Sequence, residues 1–585
     1  MNIVGCVGLS HELRQTYASR LDTGIKMFDW LRVSRWELPA STVLCAVNSP
    51  GRVNVKRTDN AAQLYLGSVR HKAGTTPEPL TDVSGLAGHI FSGLEGELYL
   101  AFESRDDGTC CVSVDPVGIF PLYYYSTPEF FLFSSSLWAF GKHPNVSPEL
   151  DVDGLIGMFL SQGIVGGRTL LRSVTRLSPG YAVTWKPGQA ATEIPLNRLN
   201  PTTDLFDETF DEQLAAVDTA LRSATTCCDG DMLLLSGGLD SRLLAGYLST
   251  AHGADFQAVS LGSDRQFDAE FAQAVASRLG WRHRSIEVDT SAFVERAIAQ
   301  VRHEQLTASF WDLGFWQLVT DLHITDPALV AGFGGNNVLE PLRHDPGQTE
   351  FTFARVFHSC NKYGFSPDTL RTLLRVEHVD ERIAAVIERL RYEYDSFECE
   401  PFQKVLMFDL SHRARFLVGA TAWRLSFGMR LLLPYFHGDV LNASLALPET
   451  AFRGRKLQKA LLRRRFPDLA RLPLDTASFF TRPLLPRFDE RVRHLFLLVY
   501  QGLLSRRERR YYHSVFDLNG PGWRAVRAEA EKSRSKAESI LDRENLHQLL
   551  PSPGVEIRTG ATDFFQVGSR AKSLLAFMVW ASEHL

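Results

Sequence analysis

At 585 residues the chain is long enough for two or more domains with sizeable cores. Its 44% hydrophobic and 22% charged residues are those of a globular protein, and a net charge of −4 gives it no general attraction for nucleic acid. The apolar runs, such as His494–Tyr500, fall far short of a membrane span, and the start Met1-Asn2-Ile3-Val4-Gly5 lacks the basic segment of a secretory signal. Eight cysteines form no CxxC pair, and the vicinal pairs Cys110-Cys111 and Cys227-Cys228 suit neither a metal nor a structural disulfide. Reduced thiols and a cytoplasmic location are the expectation.

Residues 1 to about 200 read as β-rich. Apolar or alternating segments recur at Ile3–Gly8, Ser41–Val47, Gln63–Leu66, Gly96–Phe102, Cys111–Val114, Leu122–Tyr125, Phe130–Ser134 and Tyr181–Trp185. Turn clusters such as Asp106-Asp107-Gly108 and Ser178-Pro179-Gly180 separate them. This rhythm predicts stacked antiparallel sheets. Asn197–Phe206, with Asn200-Pro201 followed by Thr202, Thr203 and Asp204, reads as a linker. Beyond it strands alternate with longer helical patterns: a strand over Met232–Leu235, a helix, a strand over Phe256–Leu261, and a helix from Asp268 to Leu279 with Asp268 as its N-cap. Such alternation predicts a parallel α/β unit. No internal repeat or low-complexity tract is present.

The stretch with the most chemistry is Leu233-Leu234-Leu235-Ser236-Gly237-Gly238-Leu239-Asp240-Ser241-Arg242. A strand breaks into a Ser-Gly-Gly turn that opens an amphipathic helix. Glycines let the backbone approach an anion closely, and the N–H groups of the new helix point at it. Ser236 and Ser241 add hydroxyl donors, and Asp240 supplies a hard oxygen ligand suited to Mg²⁺. Lacking a lysine and with tighter glycine spacing, the turn differs from the P-loop. It resembles the SGGxDS pyrophosphate loop of enzymes that cleave ATP between the α and β phosphates.

Asp115-Pro116-Val117-Gly118-Ile119-Phe120-Pro121-Leu122-Tyr123-Tyr124 resembles the RDxxGxxPLYY element of class II glutamine amidotransferase domains, and its flanks fit: Leu86-Ala87-Gly88, Glu95-Gly96-Glu97-Leu98, Phe133-Ser134-Ser135-Ser136-Leu137 and Leu177-Ser178-Pro179-Gly180. With the Ser236–Ser241 loop, this order is similar to the asparagine synthetase B family over nearly the whole chain. Val330-Ala331-Gly332-Phe333-Gly334-Gly335-Asn336-Asn337 falls where that family has its second ATP loop; Gly428–Phe436 resembles GLEARVPFLD, and Arg455-Lys456-Leu457-Gln458-Lys459 resembles GKxxLR. The resemblance implies a degenerate amidotransferase-like domain over 1–200, of the Ntn-hydrolase-like αββα sandwich type. Over 206–585 it implies an adenylating domain with a parallel sheet and a helical C-terminal part.

The departures choose among family members. A working glutaminase of this kind needs cysteine directly after the initiator Met, assisted by its own α-amine; here that residue is Asn2, and Cys6 falls inside the following strand. Without glutaminase the nucleophile must be an amine carried by the substrate. Members without the cysteine include β-lactam synthetases, carbapenam synthetase and lasso-peptide macrocyclases. The β-lactam-forming ones use a tyrosine in the second ATP loop, where this chain has Phe333, and a lysine in a late motif that Leu472–Phe479 lacks. The expected reaction is therefore macrolactam closure: ATP activates an Asp or Glu side chain of a precursor peptide, and the peptide's N-terminal amine displaces AMP. A leader peptidase and a leader-recognition protein are the expected partners. A small-molecule β-lactam or carbapenam cyclase, a glutamine-dependent asparagine synthetase and a non-catalytic scaffold are the alternatives.

The resemblance implies that Ser236, Gly237, Gly238 and Ser241 cradle pyrophosphate, that Asp240 and the position of Asn336 hold Mg²⁺, that Leu235, Val259 and Gly332 line the nucleotide, and that Lys456 binds phosphate. Asn336 stands where the family has an aspartate, and an amide oxygen is a weaker ligand for a hard cation. No general base declares itself; Glu340, His303, Glu304 and His437 are the candidates. Arg506-Arg507-Glu508-Arg509-Arg510 reads as a solvated helix face or a dock for an acidic peptide.

Overall fold

The computed structural model describes residues 1–585 except 23, 58–59, 72–93, 162, 164–165, 264–265, 305–309, 311–312, 341–349, 475–482, 487–516, 559–563 and 585. The strands of the first part are β1 (Asn2–Val7), β2 (Arg32–Glu37), β3 (Ser41–Val47), β4 (Val53–Arg57), β5 (Ala61–His71), β6 (Leu94–Arg105), β7 (Cys110–Val114), β8 (Tyr123–Ser126), β9 (Phe131–Ser134), β10 (Thr175–Arg176), β11 (Tyr181–Trp185) and β12 (Thr192–Pro195). They form two six-stranded sheets, in the orders β10-β8-β9-β1-β3-β2 and β12-β11-β7-β6-β5-β4, with antiparallel pairing throughout.

The sheets face each other across one core. Phe102 of β6 meets Phe133 of β9 with ring centroids 4.8 Å apart, and Ser41 donates to Ser104 across the gap at 2.9 Å. Strand β1 is buried on both faces, which explains its apolar run without alternation. Gly5 leaves room there for the Phe133 ring, which a Cβ would meet at 2.0 Å. The half-exposed strands β2, β4 and β12 are polar and lie at or beside sheet edges, so a search for apolar runs passes over them. Helices α1 (His11–Leu21) and α2 (Val152–Ser161) also interrupt this β-rich part.

The second part opens with α3 (Phe210–Thr226), started by a reciprocal Thr209–Glu212 capping box. Strands β13 (Met232–Leu234), β14 (Gln257–Leu261), β15 (Arg282–Ile286), β16 (Ala328–Ala331) and β17 (Arg430–Leu432) make a parallel sheet in the order β15-β14-β13-β16-β17. Helices α4 (Leu239–His252), α5 (Phe267–Leu279) and α6 (Phe293–His303) join its first strands. The helix predicted to be capped by Asp268 starts one residue earlier: Gln266 is the N-cap and Asp268 lies in the first turn. Its carboxylate accepts the N–H of Gly237 instead, at 3.1 Å. Among the described residues no helix is long and apolar enough to cross a membrane.

Buried polar contacts tie the two parts together. Arg52 donates to the carbonyls of Ser426 (2.6 Å) and Met429 (2.8 Å) and pairs with Asp326. Asn48 donates to the carbonyls of His323 (2.7 Å) and Gly428 (3.3 Å). Beneath them Arg424 forms a bidentate pair with Glu304, both bonds 2.8 Å, with the side chains 0% and 4% exposed. Arg424→Met leaves Glu304 without this partner in the interior, and about 3–5 kcal/mol of stability should be lost. Urea unfolding measures it, and the double variant Glu304→Leu/Arg424→Met should recover part of the loss.

Candidate active site

The strand order dictates where the site is. After β13 the chain adds β14 and β15 on one side, then crosses to place β16 on the other side of β13. The loops leaving the C-terminal ends of β13 and β16 therefore meet beside one crevice, the usual ligand position in an open parallel sheet. These loops are Leu235–Gly238 and Gly332–Gly334.

The first loop is shaped by its own hydroxyls. Leu235 continues the strand by donating its N–H to the carbonyl of Val259 at 2.8 Å. Ser241 Oγ accepts the N–H of Ser236 at 3.1 Å and lies 3.0 Å from Ser236 Oγ, which accepts the N–H of Gly238 at 3.2 Å. Gly238 is the N-cap of α4, with no side chain capping that end, so its positive pole opens onto the crevice. The second loop presses on the first: a Cβ on Gly332 would lie 3.2 Å from the Ser241 nitrogen, and one on Gly335 would lie 2.8 Å from both Cβ and Cγ of Asp240. Ser236, Gly237, Gly238, Asp240, Ser241, Leu235, Val259 and Gly332 are thus brought together as the sequence suggested.

Asp240 is the electrostatic centre. Burial raises its carboxyl above the usual carboxylate range, and the Arg455 guanidinium opposes this. Arg455 Nη2 donates to Oδ2 at 3.3 Å, Gln458 donates to Oδ1, and the Tyr435 hydroxyl donates to the Asp240 carbonyl at 2.9 Å. Arg455 also pairs with Glu340, so a cation already lies between two carboxylates. That donor set, with two glycine loops closing on it, fits a metal-bound polyphosphate: Asp240 and Glu340 are hard oxygen ligands, and the α4 terminus and serine hydroxyls suit phosphate oxygens.

One expected residue falls elsewhere and another only borders the site. The Lys456 ammonium stands over the Phe210 ring, 3.9 Å from its centroid. Asn336 sits in the short helix Gly335–Val338, next to the glycine that abuts Asp240, while buried Asn337 turns away and donates to Asp409 at 2.7 Å. Arg455 and Gln458, which the GKxxLR resemblance did not single out, meet the same carboxylate: Arg455 from the left-handed turn before the helix (φ 60°, ψ 36°) and Gln458 from its first turn.

The other base candidates separate. Glu340 is at the site. Glu304 is buried on Arg424. His437 caps the helix Gly438–Leu445 by accepting the Asp439 N–H at 3.3 Å. His303 lies in the first part's core, 3.3 Å from both Asn2 Nδ2 and Ser136 Oγ, and burial lowers its pKa to about 3, keeping it neutral. Phe333 packs edge-on against Phe315, centroids 5.8 Å apart. The Arg506–Arg510 cluster and residues 475–479 of the late segment lie outside the described residues.

At the head of β1, Asn2 donates to the Ile25 carbonyl at 2.9 Å and accepts the Ile3 N–H at 3.1 Å and the Ser135 hydroxyl. Cys6 is buried in mid-strand opposite Thr42 and Leu132, and burial pushes its thiol up to about 12. It is no thiolate at neutral pH.

Residues 213–582 match the asparagine synthase family, and residues 79–194 match the glutamine amidotransferase domain. The chain belongs to the asparagine synthase family. Carboxyethyl-arginine beta-lactam-synthase of Streptomyces clavuligerus is 28% identical over 210 residues, 35% of this chain and 37% of that protein; the match spans little more than a third of the relative's length. Two solved structures each align with 49% of the chain: the allosteric regulatory enzyme of purine biosynthesis (8% identity, 65% of that chain, TM-score 0.23) and the glutamine phosphoribosylpyrophosphate amidotransferase of B. subtilis complexed with ADP and GMP (9%, 66%, TM-score 0.22). Both scores are too low to bear on function.

The two loops touch so closely that Gly335→Ala should displace Asp240 and slow substrate-dependent pyrophosphate release by about a hundredfold. Asp240→Ala should abolish it. A coupled pyrophosphate assay measures both, with circular dichroism to verify the fold.

Proposed function

We propose that the chain is an ATP-dependent carbon–nitrogen ligase that forms an amide within one molecule, and that the molecule is a ribosomal precursor peptide closed into a macrolactam. The observation that carries the reading is the pairing of an intact phosphate-type crevice with an Asn2 side chain hydrogen-bonded into the core at the head of β1. A glutaminase needs a nucleophile there, and a carboxamide engaged at both ends is none. The amine then comes with the substrate.

In this reading the carboxylate of an Asp or Glu side chain attacks the α-phosphate of ATP, pyrophosphate leaves, and the acyl-adenylate is attacked by the peptide's own N-terminal amine, which loses a proton and expels AMP. The α4 terminus with Ser236 and Ser241 would bind the departing pyrophosphate, and Asp240 with Glu340 or the Asn336 amide would hold Mg²⁺, which offsets phosphate charge when bound. Holding amine and acyl group in one pocket replaces a bimolecular encounter by an internal one. A proteolytically freed N-terminus fits a leader peptidase and a leader-recognition protein as partners.

The Streptomyces relative favours a second reading, closure of a small β-amino acid to a β-lactam. Phe333 speaks against it: its ring bears no hydroxyl to accept the amine's proton where those enzymes carry tyrosine.

Purified ligase with Mg-ATP and a leader-free core peptide, beginning with glycine and bearing its acceptor carboxylate seven to nine residues in, as lasso macrocyclases require, should give AMP and a product lighter by one water that resists carboxypeptidase. Turnover of small β-amino acids alone would move the assignment to the β-lactam branch. Glutamine should yield no ammonia, with or without Cys6→Ala; thiol-dependent ammonia release would return it to asparagine synthesis.

A further inference from the structure

The turn into helix Lys456–Arg465 enters the left-handed region twice, at Gly454 (φ 60°, ψ 29°) and Arg455 (φ 60°, ψ 36°). Glycine adopts this conformation freely, whereas a long side chain is strained in it. Here the strained residue's guanidinium bridges the crevice: Nε donates to Glu340 and Nη2 donates to Asp240 Oδ2 at 3.3 Å. The three side chains are only 22%, 17% and 23% exposed for Arg455, Glu340 and Asp240. One turn on, Gln458 holds the other oxygen of Asp240. Both carboxylate oxygens are therefore engaged by protein donors, and a metal that takes Asp240 competes with the guanidinium for the same negative charge. Arg455 is the donor with another use, because a planar guanidinium fork pairs with phosphate as well as with carboxylate. Lys456, the residue expected to bind phosphate, is turned onto Phe210.

We propose that Arg455 is the counter-ion of the metal position in the free enzyme and transfers to the pyrophosphate portion of the nucleotide when metal occupies Asp240. Metal entry and phosphate capture are thereby coupled: the cation frees the arginine, and the phosphates receive it. This rests on the nucleotide reading of the crevice given above. In the free enzyme Arg455 screens Asp240 from Glu340; in the loaded one it is a phosphate-binding residue.

The test uses Mn²⁺ and inorganic pyrophosphate as probes, without turnover. Arg455→Asn removes the guanidinium with a residue that tolerates left-handed backbone. Titration followed by electron paramagnetic resonance should show free Mn²⁺ bound about tenfold more tightly, while calorimetry shows Mn²⁺-pyrophosphate bound about ten- to a hundredfold more weakly, the scale of a charged hydrogen bond. Arg455→Lys, which keeps the charge but not the fork, should leave Mn²⁺ affinity near wild type and weaken pyrophosphate several-fold. It also keeps the proposal testable should the Asn variant misfold. Affinities unchanged in Arg455→Asn, or both shifting the same way, would overturn the role of Arg455. Failure of the wild type to bind Mn²⁺-pyrophosphate, with Asp240→Ala indistinguishable from it, would remove the nucleotide site itself.

Discussion

The close approach of two loops at the C-terminal edge of the parallel sheet is the constraint on which the site depends. With β13 in the centre and β16 added on its other side, the loops after these strands must share one crevice, and glycines at 332 and 335 let them touch. Backbone meets side chain there with no room for another methyl group at Gly335. The chemistry follows from that contact. An open helix end, two hydroxyls and a carboxylate are gathered on one wall, and the carboxylate is drawn toward the cation supplied by the turn at Arg455.

The first part of the chain serves this site through packing. Residues Leu410–Val418 form a π-helix, a wider coil that accommodates extra residues per turn and recurs at functional positions. At its leading end Asp409 receives Asn337 of the second loop's helix; farther along, Arg415 donates to the Leu177 carbonyl in the amidotransferase-like part. One element thus braces the second loop against the stacked sheets. That gives the sandwich a mechanical use with no thiol at the head of β1.

Much of this was legible in the residues, for identifiable reasons. The Ser236–Ser241 turn announces itself because glycine spacing, hydroxyls and a carboxylate must coincide to bind phosphate, and short-range geometry is local in sequence. The buried strands β1, β3 and β9 are readable from their apolar runs. Strands β2 and β4 were not, because their polar residues reflect exposure more than backbone conformation. Arg455 was overlooked beside Lys456 because a left-handed turn, invisible in a motif, rotates which of two adjacent basic side chains faces the carboxylates. Asp268 was misassigned as a cap because its better partner, the Gly237 N–H, belongs to a loop 31 residues away.

The contacts of Arg52 carry a consequence for biosynthesis. Its guanidinium finds the Ser426 and Met429 carbonyls 374 and 377 positions further along the chain, and Asn48 reaches Gly428 over 380. On the ribosome the sandwich therefore emerges long before these acceptors exist. It must keep a face with polar groups awaiting partners hydrated until most of the second part has been made. Chains with such distant contacts close them late and expose adhesive surface meanwhile. The Arg52 and Asn48 contacts are polar and hydratable, which suits that wait, while Phe28 and Trp30, which meet Trp316, Phe427 and His323 at the same seam, form the adhesive surface exposed meanwhile.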